Sequence, residues 1–338
     1  MNILIAIRIK SRYMRKQVIP EKLKEGDEIR IITPARSASL QWISKYFDPA
    51  VKKLADLGFI VSYGKHIYEI DEFDSSSIAS RVEDLHAAFL DKNVKAVITV
   101  IGGFNSNQLL KYLDYKIIRN NPKILCGYSD ITAVSDSIYA KTGLVTYYGP
   151  HLIDFGGGKE NQYTIDYFRR CLMEEKPFEL KPSGYFYDRY DSSPEKRGGY
   201  LVINEGKAEG KLVGGNLCTF NLLQGTEYMP DIKDSILFVE DDYRSDAATF
   251  DRDLQSLIHQ PGFESVKGLM IGRFQKESNV SEGKLTKIIK TKKELDGIPV
   301  VADVNFGHAS PRVTLPIGGE AALDAGRNGK VNIRITKH

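Results

Sequence analysis

Short apolar runs alternate with stretches of helical periodicity between residues 28 and 149. The runs predict buried β-strands, and they are Ile29–Thr33, Phe59–Tyr63, Val94–Ile101 and Lys123–Gly127. Between the second and third runs, Ser77–Leu90 carries apolar residues three and four positions apart, the spacing of one helical face. Continuous apolar strands are typical of parallel sheets, which helices cover on both faces. The pattern therefore predicts a doubly wound α/β domain.

A second series of predicted strands and helices follows a stretch that differs in composition. Residues 156–206 hold a Gly-Gly-Gly run, several prolines and an aromatic-polar segment, which together predict a linker or a mobile loop region. Strand-like runs return from Gly210 onward, with helical stretches at Ala247–His259 and Lys284–Glu294. We therefore expect a disordered extension over residues 1–16, an N-terminal domain over 17–170, a linker over 171–206 and a smaller, β-rich α/β domain over 207–338.

One helical stripe contains a proline. Apolar residues at helical spacing run from Leu40 to Leu57, and Asp48-Pro49 lies among them. Asp is a favoured N-cap and Pro a favoured first helical residue, so we expect a new helix to start at Pro49 and to stop at Gly58.

Composition limits the possible classes of protein. The 338 residues are 42% hydrophobic and 27% charged, which excludes disordered, collagen-like and coiled-coil proteins. The 47 basic and 44 acidic residues nearly balance, so we expect no nucleic-acid or membrane partner. No run approaches the ~20 apolar residues of a membrane-spanning helix. The cysteines Cys126, Cys171 and Cys218 form no close pair, which favours a cytoplasmic location.

Ser129 lies where a predicted buried strand turns into a helix, in the segment Gly127-Tyr128-Ser129-Asp130-Ile131. A serine on such a turn projects its hydroxyl at the carboxyl edge of the sheet, beside the free N–H groups of the helix N-terminus. Acyl transfer needs a nucleophile and donors for the oxyanion, so Ser129 is a candidate nucleophile. The alternative is that Ser129 only caps the helix. The hydrolase motif G-x-S-x-G is half present, because Ile131 replaces its second glycine.

Three other positions are candidates for assisting such a serine. Gly102-Gly103 follows a strand of the same predicted sheet, so it offers a second oxyanion donor or forms an ordinary tight turn. His308 is the main candidate base, because it lies in a loop bounded by Gly and Pro after a strand, and His151 competes with it. Glu240 ends another apolar strand and either orients the base or belongs to a solvated acidic turn.

Sequence motifs for metals and cofactors are missing. The chain has no HExxH, no clustered Cys and His, and no GxGxxG after a strand. We therefore expect neither a metal ion nor an organic cofactor.

Several segments taken together resemble the LD-carboxypeptidase family of serine peptidases, and they occur in the family's order. They are Ile101-Gly102-Gly103-Phe104-Asn105-Ser106-Asn107, Gly127-Tyr128-Ser129-Asp130-Ile131-Thr132, Tyr148-Gly149-Pro150, Gly214-Gly215-Asn216-Leu217, Phe238-Val239-Glu240-Asp241 and Phe306-Gly307-His308. The resemblance implies a doubly wound, flavodoxin-like N-terminal domain, a smaller β-rich C-terminal domain and a homodimer.

The resemblance also implies roles for the candidate residues. Ser129 is then the nucleophile, His308 the general base, and Glu240 the residue that orients the histidine. The backbone N–H groups of Asp130 and of Gly102 or Gly103 form the implied oxyanion hole.

The turn after Ile101 resembles the branch of the family that contains the microcin C immunity proteins. That branch cleaves the amide between a peptidyl or aminoacyl carboxyl group and a nucleotide-like moiety, so a small peptide or an aminoacyl-nucleotide is the implied substrate, and Asn105 is a candidate contact. Those proteins stack a loop tryptophan on the nucleobase, whereas the only tryptophan here is Trp42. We expect the aromatic loop with Tyr185, Tyr187 and Tyr190 to replace it. A murein tetrapeptide carboxypeptidase, a non-catalytic peptide or nucleotide-binding module and an α/β-hydrolase are the alternatives.

Overall fold

The computed structural model describes residues 16–157, 161–188, 193–196, 198–326 and 329–338. The predicted disordered extension, apart from Lys16, lies outside the described residues. Within these ranges no helix is both long and apolar enough to cross a membrane. The described strands are β1 (Glu28–Ile32), β2 (Ile60–Tyr63), β3 (Val94–Thr99), β4 (Ile124–Gly127), β5 (Thr146–Tyr148), β6 (Phe178–Leu180), β7 (Tyr185–Phe186), β8 (Glu195–Lys196), β9 (Leu201–Asn204), β10 (Gly206–Asn216), β11 (Ser235–Glu240), β12 (Gly268–Gly272), β13 (Val300–Val304), β14 (Leu315–Ile317), β15 (Glu320–Ala325) and β16 (Val331–Lys337). The described α-helices are α1 (Ser44–Asp56), α2 (Ile78–Leu90), α3 (Tyr115–Asn120), α4 (Thr132–Thr142), α5 (Asn161–Leu172), α6 (Leu217–Asn221), α7 (Ala247–Ile258) and α8 (Glu282–Lys290).

The first sheet has six strands in the order β2-β1-β3-β4-β5-β14. Its first five strands are parallel, and the order 2-1-3-4-5 is the flavodoxin-like one. Nearly every residue of β3 and β4 is buried, as continuous apolar runs require. The predicted doubly wound N-terminal fold is therefore confirmed. The edge strand β14 pairs antiparallel with β5, although it comes from the far end of the chain.

The second sheet has eight strands in the order β6-β16-β15-β10-β11-β12-β13-β9. The central strands β10 to β13 are parallel, and the strands on either side of them pair antiparallel. This confirms the predicted β-rich second α/β unit. The residues predicted as a linker, 171–206, supply the two edge strands β6 and β9 as well as the ribbon β7–β8. Strands of two to four residues between glycines and prolines have too little periodicity to be recognised in sequence.

The helix start predicted at Pro49 is wrong, because α1 runs through Pro49 from Ser44 to Asp56. The N–H of Phe47 already donates to the carbonyl of Ile43 at 3.0 Å, so the first turn exists before the proline. A proline inside a helix removes one hydrogen bond and crowds the preceding turn. Burial of the apolar face, which includes Phe47, Ala50 and Leu54, offsets that cost.

Candidate active site

Ser129 occupies a sharp turn directly after β4. Its φ of 60° is in the left-handed region, which residues other than glycine rarely adopt. Two contacts hold the turn: the backbone N–H of Ser129 donates to the hydroxyl of Tyr148 at 3.3 Å, and the hydroxyl of Thr132 donates to the carbonyl of Ser129 at 2.7 Å. Backbone strain of this kind is concentrated at functional sites, and here it presents the serine side chain at the sheet edge.

The structure joins Ser129, His308 and Glu240 in one hydrogen-bonded chain. Nε2 of His308 lies 3.0 Å from Oγ of Ser129, and Nδ1 of His308 lies 2.7 Å from Oε2 of Glu240. Ser129 follows β4 of the first sheet, whereas Glu240 ends β11 and His308 follows β13 of the second sheet. The carboxyl ends of the two sheets therefore meet at this site.

Gly307 allows His308 to reach Glu240. Its φ is 95°, and a Cβ at this position would lie 2.4 Å from Oε2 of Glu240, so no other residue fits without displacing the carboxylate. The backbone N–H of His308 also donates to this oxygen, at 3.2 Å. Arg312 holds the same loop from the other side, because its Nε donates to the carbonyl of Gly307 at 3.0 Å and its Nη1 pairs with Asp154 of the N-terminal unit.

Glu240 is fully buried and its carboxylate is completely engaged. Its second oxygen, Oε1, accepts hydrogen bonds from the hydroxyl of Tyr148 at 2.5 Å and from the side-chain amide of Asn216 at 3.2 Å. Burial raises the pKa of Glu240, but the charge and hydrogen bonds of His308, Tyr148 and Asn216 outweigh it, and the net pKa is lowered. Glu240 is thus a carboxylate anion, and each of its two oxygens accepts hydrogen bonds.

His308 responds to that charge in the opposite sense. Burial lowers the pKa of His308, but the negative charge of Glu240 and the hydrogen bond to it dominate, and the net pKa is raised. A carboxylate at Nδ1 fixes the tautomer that carries its proton there, which leaves Nε2 to accept a proton from Ser129. The neighbouring Asp241 is affected as well: burial and the charge of Glu240 raise its pKa to about 7.

Three backbone N–H groups around the turn at Ser129 are free to donate hydrogen bonds to an anion. Within the described residues, the N–H groups of Gly102, Gly103 and Asp130 have no hydrogen-bond acceptor. Gly102 lies against the serine, because a Cβ on it would be 3.1 Å from Oγ of Ser129. The hydroxyl of Ser106 donates to the carbonyl of Asp130 at 2.6 Å and thereby ties the turn after β3 to the turn after β4. Backbone N–H groups without an acceptor beside a serine are the kind of donors that an oxyanion hole requires.

A cleft of about 460 Å³ opens above Ser129 between the two halves of the chain. The aromatic rings of Trp42, Phe104 and Tyr243 line its mouth and are 41%, 56% and 39% exposed. The guanidinium groups of Arg36 and Arg244 lie 4.7 and 4.6 Å from the centre of the Phe104 ring, one from each half of the chain. The cleft thus combines exposed ring faces with two cations.

The predicted substrate-contacting residues are placed differently. Tyr185 and Tyr187 are not among the residues that line the cleft, and Tyr187 instead pairs through its backbone with Ser310 at 2.7 and 2.9 Å. Tyr190 lies outside the described residues. Asn105 lines an adjoining cavity, where its side-chain oxygen accepts from Arg81 at 3.0 Å.

Trp42 lies in the cleft, although the sequence offered no reason to place it there. It precedes α1 in the N-terminal unit, far along the chain from every residue of the hydrogen-bonded chain. Only the folding of the loop between β1 and α1 over the sheet edge brings it to the site. The same applies to Tyr148 and Asn216, which lie in segments noted for their family resemblance but without a predicted role.

His151, the competing candidate base, is fully buried and has no hydrogen bond to Ser129. Its Nδ1 lies 2.7 Å from the hydroxyl of Thr99, and its ring packs 4.2 Å from the ring of Tyr128. Burial, together with the charges of Arg312 and His308, holds its pKa well below the usual value. His151 is a neutral packing partner for Tyr128, whose ring also lies 5.3 Å from the ring of His308 and 4.6 Å from the guanidinium of Arg312. Among the described residues, no group of three or more His, Cys, Asp or Glu side chains is arranged to hold a metal ion.

Two segments of the chain match known families. Residues 29–149 match the LD-carboxypeptidase N-terminal domain, and residues 209–323 match the LD-carboxypeptidase C-terminal domain. A Bacillus subtilis (strain 168) protein named "Putative carboxypeptidase YocD" is 54% identical over 323 residues, which cover 94% of this chain and 99% of the relative. The Escherichia coli protein "Microcin C7 self-immunity protein MccF" is 32% identical over 335 residues, which cover 93% of this chain and 94% of the relative.

Solved structures agree with these matches. The crystal structure of an MccF-like protein from Bacillus anthracis str. Ames has a TM-score of 0.93 and 49% identity, and covers 95% of this chain and 100% of its own. The structure of MccF in complex with aspartyl sulfamoyl adenosine has a TM-score of 0.86 and 30% identity, with 95% of this chain and 99% of its own covered. In sequence and in fold, this chain belongs to the LD-carboxypeptidase family.

Proposed function

We propose that this chain is a serine carboxypeptidase that hydrolyses an amide bond at the C-terminal end of a peptide or an aminoacyl-nucleotide conjugate. Membership of the LD-carboxypeptidase family makes it a hydrolase of peptide-like bonds. The observation that carries the finer proposal is the chain of 3.0 and 2.7 Å contacts from Ser129 through His308 to Glu240. A nucleophile, a base and an orienting carboxylate in this order are what acyl transfer requires.

The proposed reaction has two steps, acylation of Ser129 and hydrolysis of the acyl-enzyme. His308 takes the proton of the Ser129 hydroxyl at Nε2 while Oγ bonds to the amide carbon, and the oxyanion accepts the N–H groups of Asp130 and Gly102 or Gly103. His308 then returns the proton to the leaving nitrogen as the C–N bond breaks, which leaves an acyl ester on Ser129. A water molecule next gives a proton to His308 and attacks the ester, and the proton restores the serine hydroxyl as the acid leaves.

The cleft supports an anionic substrate that carries a flat ring. Arg36 and Arg244 place two positive charges at its mouth, and Trp42, Phe104 and Tyr243 present ring faces. A nucleotide-like leaving group offers both an anionic linkage and a base that stacks on aromatic rings. MccF, which has the same fold, was solved with aspartyl sulfamoyl adenosine, a compound of that class. We therefore propose an aminoacyl- or peptidyl-nucleotide amide as the substrate.

A two-substrate assay tests this proposal. We expect the protein to release aspartate from aspartyl sulfamoyl adenosine, and to release D-alanine from a murein tetrapeptide slowly or not at all. Chromatography of the products against a Ser129→Ala control measures both. Preferential release of D-alanine would favour a murein carboxypeptidase instead. A rise in Tm with each ligand but no product from either would point to a non-catalytic binding module.

The family resemblance also supports a homodimer in the cytoplasm. Light scattering on the purified protein gives the molar mass directly, and we expect twice the 38.0 kDa of one chain. Fractionation of cells followed by immunodetection tests the location.

A further inference from the structure

A second cavity, of about 470 Å³, adjoins the cleft above Ser129. Arg36 and Phe104 line both spaces and so form the boundary between them. The far side of the second cavity consists of residues 71–74 and the start of α2. A substrate held at Ser129 can therefore extend past Phe104 into this space.

The second cavity holds carboxylates that have no partner within the protein. Asp71 accepts the N–H groups of Phe73 and Ser75, each at 2.9 Å, and this fixes the loop. Among the described residues, the carboxylates of Glu72 and Asp74 make no hydrogen bond or ion pair. The guanidinium groups of Arg36 and Arg81 line the same cavity, and among the described residues neither is paired with a carboxylate. Opposite charges therefore face one space without neutralising each other.

A buried hydroxyl provides a second, independent sign of a ligand. Ser76 lines this cavity and is only 5% exposed, yet its hydroxyl has no hydrogen-bond partner. Buried polar groups are nearly always paired, so an unpaired one beside a cavity indicates a missing partner. Phe73 borders the same space and is 71% exposed, whereas the ring of Phe104 already packs against the guanidinium groups of Arg36 and Arg244. Carboxylates, a hydroxyl and ring faces are the groups that bind a primary ammonium, which has three donors and no acceptor.

We propose that this second cavity binds a primary ammonium group on the acyl part of the substrate. The inference rests on the proposed function, in which Ser129 takes the acyl group. In a peptide the free amino end lies on the acyl side of a C-terminal amide bond, so a chain extending from Ser129 past Phe104 brings its ammonium group to Glu72 and Asp74. The preferred substrate is thus a peptidyl conjugate with a free amino end.

A matched pair of substrates tests the ammonium site. One is a tripeptidyl sulfamoyl adenosine with a free amino end, and the other is its N-acetylated form, which carries no positive charge. We expect the wild-type protein to prefer the free amine about five- to tenfold in kcat/KM, as one or two partly exposed charge pairs provide. The double variant Glu72→Gln/Asp74→Asn loses this preference and treats the acetylated substrate as the wild type does. Asn adopts the left-handed backbone of Asp74, so the variant keeps the loop.

A control variant and a binding arm separate the two proposals. Glu294→Gln, an exposed carboxylate of the C-terminal unit, is expected to keep the preference. Calorimetry with the Ser129→Ala protein measures the affinity for both substrates without cleavage. If the wild type cleaves both substrates with equal kcat/KM, the proposed ammonium site is wrong and the proposed hydrolase activity is supported. A different result would support the ammonium site and overturn the proposed hydrolysis. In that case the Ser129→Ala protein binds the free amine more tightly than the acetylated form, this difference is lost in Ser129→Ala/Glu72→Gln/Asp74→Asn, and the wild type cleaves neither substrate.

Discussion

At the scale of single residues, the site depends on a few side chains whose surroundings decide their chemistry. Glu240 is fully buried, yet its pKa is lowered because His308, Tyr148 and Asn216 all supply donors to it. Sequence reasoning proposed Ser129, Glu240 and His308 from their positions after predicted strands and from family resemblance, and the structure brings the three side chains together. It could not identify Tyr148 or Asn216 as supports, because their roles depend on contacts between segments far apart in the chain.

Replacing Ser129 distinguishes a nucleophile from a helix cap. We expect Ser129→Ala to lower kcat by about 10⁴-fold or more, with an unchanged circular dichroism spectrum, because the attacking oxygen is lost. Ser281 is a matched control, since its side chain caps α8 by accepting the N–H of Lys284 at 3.3 Å. Ser281→Ala should cost about 1 kcal/mol of stability and leave kcat unchanged. If the two variants behave alike, the nucleophile assignment is wrong.

The pH dependence of turnover reports the coupling between His308 and Glu240. His308 must be neutral to take a proton, so kcat/KM rises with pH through its pKa, which Glu240 holds above the usual 6.5. In Glu240→Gln the opposing effect of burial remains, and we expect the acid limb to move to lower pH while the plateau falls. A pH profile of kcat/KM for both proteins measures this. An acid limb that stays in place would mean that another group titrates.

At the scale of elements, turns at strand ends position the site, and they differ in how well sequence predicts them. The strands β3 and β4 and the turns after them follow from long apolar runs that end in glycine. The edge strands β6 and β9 were predicted as linker, because strands of three and four residues leave no periodic pattern. The path of α1 through Pro49 was missed as well, since burial of its apolar face outweighed the local cost of proline.

Gly102 illustrates how closely the turn after β3 packs against Ser129. A Cβ on Gly102 would lie 3.0 and 3.1 Å from Cβ and Oγ of Ser129, a contact that forces the serine side chain to move. We expect Gly102→Ala to lower kcat by about 10–100-fold with little change in Tm, because misplacement of reacting atoms is costly. Steady-state kinetics and a thermal melt measure both quantities. Gly297→Ala is the matched control, since nothing lies within 4 Å of its Cβ position, and full activity of both variants would contradict the proposed geometry.

At the scale of the whole molecule, the two halves of the chain are interlocked. Strand β14 comes from the C-terminal half but completes the N-terminal sheet beside β5. Arg312 reaches back to Asp154, and the hydrogen-bonded chain itself crosses from Ser129 to His308. Sequence reasoning predicted two domains that share one site. It did not predict that β14 joins the N-terminal sheet, because the three residues Leu315–Ile317 carry no information about which sheet they join.

This interlocking predicts cooperative unfolding. We expect differential scanning calorimetry to give one transition whose calorimetric and van't Hoff enthalpies agree, because unfolding of the C-terminal half removes β14 from the first sheet and breaks the Arg312–Asp154 pair between the halves. Addition of a bound ligand should move that single transition as a whole. Two transitions that shift separately would show that the halves fold independently.

The position of β14 in the N-terminal sheet also has a consequence for synthesis of the protein. The ribosome completes β5 long before it reaches Leu315, so a nascent chain carries the N-terminal sheet with an open edge beside β5 throughout translation of the C-terminal half. An open edge is a template for pairing with other chains. His308 and β14 leave the ribosome within a few residues of each other, so the chain gains the proposed base and closes that edge at almost the same moment of its synthesis.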